Sequence, residues 1–102
     1  MMKSKNKNAR DVLFKLTKEK FSFAMEFRAY RTRDDLTQDE LAVLLGVSKQ
    51  YISDIENKRR FISVEKAAEY ARKMKENERF YIMLAMQDML NNCGLKYKVN
   101  VA

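Results

Sequence analysis

The chain of 102 residues has the length of one domain, and with no Pro, two Gly and many Lys, Glu, Leu, Met and Ala it is expected to be mainly α-helical. With no His and one Cys it cannot build a His or Cys metal site, a Ser-His-Asp triad, a Cys-His pair or an intrachain disulfide, so no catalytic residue, metal ligand or cofactor is assigned. The formal net charge of +7 is uneven: +7 over residues 1–33, −5 over 34–57, +5 over 58–75 and zero over 76–102. Long-range attraction to a polyanion would therefore come from basic segments flanking an acidic centre, although a charge run also describes a plain solvated face.

The basic start MMKSKNKNAR is followed by no apolar run of signal-peptide length. The longest apolar run, FYIMLAM at 80–86, is too short to span a bilayer, so a soluble, cytoplasmic protein is expected. A polar arm to about Asn8 leads into a short helical turn over 9–16. Thr17 then reads as the cap of a helix to about Arg33, with Phe23, Phe27 and Tyr30 spaced as one buried stripe. Asp34 and Asp35 break the periodicity, and Asp tolerates the left-handed position that ends a helix.

Thr37-Gln38-Asp39-Glu40 forms a capping box for the next helix, whose Leu41, Leu44 and Leu45 are expected to face inward. Gly46 can take positive φ and stop that helix, Val47 fills the corner, and Ser48 caps a helix from Lys49 to about Asn57. Two helices of about eight residues joined by a turn of about three describe a helix-turn-helix. On the second helix Ile52 and Ile55 share one side, whereas Lys49, Gln50, Ser53 and Asp54 share the other. That outer face mixes donors and acceptors, as base edges in the major groove do.

Residues 36–60, LTQDELAVLLGVSKQYISDIENKRR, fit the pattern LTQxELAxxxGVSxxxISxIENGxR. The chain thereby resembles the Xre, or Cro/repressor, helix-turn-helix family from about residue 23 to 74. The resemblance implies DNA contacts for Gln38 at the start of the first motif helix. It implies base reading by Lys49, Gln50 and Tyr51, with Ser53 and Asp54 on the same face, and backbone contacts by Lys58, Arg59 and Arg60. It also implies a structural pair of Arg31 with Glu56. The residues themselves leave alternatives open. Tyr51 either stacks on a sugar or thymine methyl or packs on neighbours, Ser53 either contacts DNA or merely permits close approach, and Asp54 either accepts from cytosine or holds Lys58 or Arg59. Lys58 departs from the pattern, which has Gly there, so either Asn57 takes the left-handed conformation or the loop differs.

Ser63 caps a fourth helix to about Lys75, with Val64, Ala67, Ala68 and Ala71 as its packing face. A fifth, from about Asn77 to Cys93, is more apolar than one small core can bury, and Cys93 reads as a small packing residue. After Gly94, LKYKVNV alternates with the period of a half-buried strand. That strand would pair with its copy across a two-fold axis, burying Tyr97 and Val99, or add to another protein's sheet. The expected fold class is all-α, a five-helix Cro/repressor-like helix-turn-helix domain with a short C-terminal β-strand extension. The expected divisions are 1–17 (arm), 18–76 (DNA-binding) and 77–102 (dimerisation or partner binding). The function expected is a sequence-specific transcriptional regulator, a repressor binding a double-stranded operator as a homodimer. The alternative is an antitoxin that autoregulates through the same domain and binds a toxin protein through its C-terminal region.

Overall fold

The computed structural model describes residues 22–99, which form five helices: α1 (Phe23–Asp34), α2 (Gln38–Leu45), α3 (Lys49–Glu56), α4 (Val64–Met74) and α5 (Glu78–Asn92). The expected arm, the turn over 9–16 and the Thr17 cap lie outside the described residues. The first described helix begins later than expected, at Phe23, with Ser22 as its cap.

Every helix is stopped in the same way at both ends. The side chains of Ser22, Thr37, Ser48, Ser63 and Asn77 each accept from the backbone N–H three residues on, and Thr37 with Glu40 completes the capping box. Beyond each C-terminus one residue has positive φ: Asp35, Gly46, Lys58, Lys75 and Gly94. The next N–H then returns five residues to a helix carbonyl, as Val47 does to Ala42 at 3.0 Å and Arg59 to Asp54 at 2.7 Å. With only two glycines in the chain, three of these left-handed positions fall on Asp or Lys, at roughly 1 kcal/mol each. Gly46 is needed for its φ of 73° rather than for space, since a Cβ there would meet only the flexible end of Lys73.

The core lies where α1 crosses the motif helices and α5. Phe23, Phe27 and Tyr30 form the expected stripe, and Phe23 meets both Phe27 and Tyr81 edge to face, with centroids 5.5 and 5.3 Å apart. Leu41, Leu45, Ile52 and Ile55 join them, and α4 contributes Ala67, Tyr70, Ala71 and Met74. Leu44 is exposed, against expectation, and Ala42 takes the inward position instead.

Two C-terminal expectations are also corrected. Cys93, expected to be a packing residue, is exposed. No strand forms over residues 95–99, and Asn100 and Val101 lie outside the described residues. Instead, the buried Gln87 side chain donates through Nε2 to the Tyr97 carbonyl at 2.7 Å and accepts from the Val99 N–H at 2.8 Å. A carboxamide carries the same donor and acceptor as a peptide group, so Gln87 serves in place of a partner strand and folds the tail back along α5. Tyr97 keeps its side chain exposed, and Val99 is half-buried.

Candidate nucleic-acid interface

The pose of α3 is set at its C-terminal end by Glu56, a carboxylate only 2% exposed. Arg31 from α1 grips it with both prongs, Nε to Oε2 at 2.7 Å and Nη2 to Oε1 at 2.8 Å, so the implied pair is present and bidentate. These bonds push the Arg31 guanidinium above its already high value. Arg28 donates to the Glu56 carbonyl at 2.7 Å, satisfying an orphan acceptor at the helix end. Gln38 is half-buried and turned inward, its Nε2 donating to Glu56 Oε1 at 3.2 Å. One buried acid thus ties α1 and α2 to the end of α3.

Lys49 and Gln50 are exposed on the opposite side of α3. Gln50 Nε2 donates to Asp54 Oδ1 at 2.8 Å, and Arg59 approaches the same oxygen through Nε and Nη2, both at 3.1 Å. Asp54 thus holds Arg59, one of the contacts left open for it by the sequence. The Gln50 amide, followed by Arg59, holds the Asp54 carboxyl below its ordinary value. Ser53 receives the Asn57 side chain on its carbonyl at 2.8 Å and on its hydroxyl at 3.3 Å.

Tyr51 is half-buried and packs on neighbours. Tyr70 donates to its hydroxyl at 3.0 Å, and the Arg60 guanidinium lies 4.9 Å from its ring centroid. The loop cations are therefore tethered to α3 itself, Arg59 through Asp54 and Arg60 through Tyr51. Lys58 resolves the departure from the pattern: it takes the left-handed conformation with φ of 60°, while Asn57 stays at −101°. The turn expected of Gly is kept with a cation at its tip.

This is a short helix wedged by a buried ion pair, a polar outer face, and a cationic loop fastened to that face. The helix-turn-helix family model HTH_3, of the Cro and C1 repressor type, matches residues 27–80, more than half of the chain. The chain belongs to this helix-turn-helix family. It is thus a DNA-binding regulator of the helix-turn-helix class. Neither the curated proteins nor the solved structures gave a match.

Three working residues escaped the sequence reading, two in the helix-turn-helix domain and one on α5. Tyr70 is buried on α4 and supports Tyr51; its spacing of three from Ala67 and four from Met74 was the available signal. Lys73 donates to the Leu45 carbonyl at 3.1 Å and so closes the end of α2. Asp88 on α5 is buried, accepts from the Phe23 N–H at 3.2 Å, and lines a small cleft with Lys58, Arg60 and Phe61. Among the described residues, no helix is long and apolar enough to cross a membrane.

Proposed function

We propose that this helix-turn-helix protein is a sequence-specific transcriptional repressor that binds an operator of two half-sites as a homodimer. The observation that carries the reading is the outer surface of α3, where Lys49, Gln50 and Asp54 stand together and the Lys58, Arg59 and Arg60 loop adjoins them. Base edges offer both donors and acceptors, and this face matches that mixture, while the loop cations suit the phosphates alongside. In two successive major grooves the half-sites would lie about one helical turn apart.

Duplexes selected from a random pool supply the test. Gln50→Ala is expected to weaken binding to the selected site by about 1 to 3 kcal/mol and binding to random duplex far less. Equal losses on both would remove Gln50 from base reading.

For the dimer, the support is exposed apolar surface on α5 and the tail: Met86, Met89, Leu95 and Tyr97. Tyr97 enters the Gln87 clasp only through its backbone, so Tyr97→Asp leaves that clasp intact. The variant is expected to be a folded, helical monomer whose operator affinity falls by about a hundredfold, because two linked half-sites bind far more tightly than one. Sedimentation showing an unchanged dimer would move the interface off the tail. That surface would then be the better candidate for a toxin partner.

A further inference from the structure

Gln50 and Asp54 stand one turn apart on α3, with the Gln50 amide nitrogen 2.8 Å from Asp54 Oδ1. An ionised carboxylate only accepts, so the group meeting it is the NH2, and the flip of the Gln50 amide is thereby fixed. Asp54 is itself anchored, since its side chain is half-buried and Arg59 holds the same oxygen through two nitrogens, each at 3.1 Å. Gln50 as the lone mobile reader of an open face would be free to turn either way. Here one of its two N–H bonds is spent within the protein, and what remains for DNA is one N–H beside the carbonyl oxygen.

In the major groove adenine presents an acceptor at N7 beside a donor at N6, whereas guanine presents two acceptors at N7 and O6. A free glutamine serves either, turning its carbonyl toward adenine N6 or both N–H bonds toward guanine. A clamped one has lost the second option. Resting on the reading of α3 as the major-groove helix, we infer that Asp54 is a positioning residue that sets specificity: by holding one Gln50 N–H, it makes Gln50 select adenine and reject guanine. Asp54 then acts through Gln50 and touches no base itself. Its carboxyl, held below the ordinary value by Gln50 and Arg59, stays a pure acceptor through the physiological pH range.

The experiment is selection of bound duplexes from a random pool with the full chain, as wild type, Gln50→Ala and Asp54→Ala. Wild type is expected to enrich one adenine about tenfold over guanine, and Gln50→Ala to lose that preference alone. Asp54→Ala, whose helical content circular dichroism verifies, is expected to bring the adenine-to-guanine ratio at that position within about threefold, with neighbouring positions unchanged. The ratio is read rather than total affinity, because loss of an acid strengthens binding to any duplex. An unchanged ratio in Asp54→Ala overturns the clamp, as does a selected site with no adenine that depends on Gln50. A wild-type pool with no enriched sequence is a separate failure: it removes α3 as a base reader and the clamp with it.

Discussion

Arg31→Ala is expected to destabilise the domain by about 3 to 5 kcal/mol, a large share of the roughly 5 to 15 kcal/mol that holds a typical domain folded. Arg31 fills three acceptors at once: both oxygens of Glu56 and, through Nη1 at 3.2 Å, the Leu36 carbonyl in the turn between α1 and α2. Its removal strands a carboxylate that is 2% exposed, with Gln38 at 3.2 Å and the half-exposed Arg28 at 3.7 Å as the remaining partners. Neither replaces a bidentate guanidinium, so most of the cost is an uncompensated buried charge rather than a lost attraction. The double variant Arg31→Met with Glu56→Met removes the charge as well and is expected to recover most of the loss. Urea unfolding of the three proteins measures it. A loss below about 1 kcal/mol in Arg31→Ala would show that water or Arg28 reaches Glu56.

The same pair marks where function depends on fold. Glu56 ends α3, so whatever holds Glu56 also sets the angle at which Lys49 and Gln50 are presented. Arg31→Ala is therefore expected to weaken DNA binding even under conditions where the domain remains folded.

What the sequence revealed was mostly local chemistry. Caps were legible because Thr37, Ser48 and Ser63 act on backbone three residues away, and Gly46 was legible because no other residue takes positive φ so readily. The helix ends near Asn57 and Lys75 were legible, but the left-handed conformation of Lys58 and Lys75 was not, since a lysine carries no local preference for φ of 60° or 57° and the turn around it imposes the conformation. Leu44 lies on the right side of an idealised wheel, yet α2 has only eight residues and no element covers that position. The alternation in LKYKVNV suggests a strand, yet none forms over residues 95–99. The backbone there is met instead by a side chain, Gln87, which no period-two pattern announces. Contacts that join distant segments, such as Phe23 with Asp88, were invisible for the same reason: only the packed fold brings them together.

Asp88 supplies the second large effect, and it depends on pH. Burial pushes its carboxyl up to about 6 from 3.8, against the Phe23 N–H and the Lys58 ammonium, which both favour the charged form. A folded-state value above the unfolded one means that the native chain binds the extra proton between about pH 4 and 6. Stability from this group is therefore full below that window, falls as pH rises through it, and stays reduced above it, by about 3 kcal/mol for a shift of some two units. Asp88→Asn keeps an oxygen for the Phe23 N–H and stays neutral throughout. The variant is expected to be about 1 to 3 kcal/mol more stable than wild type at pH 7.5, with the advantage vanishing near pH 4. Urea midpoints at the two pH values test this. An advantage equal at both would mean that shape rather than charge disfavours Asp88. The site matters beyond stability, because the cleft it lines includes Lys58 and Arg60 of the loop proposed to meet the phosphates. A carboxylate there at neutral pH opposes part of that loop's positive field, so Asp88→Asn is also expected to strengthen binding to duplexes of any sequence, more at low salt than at high.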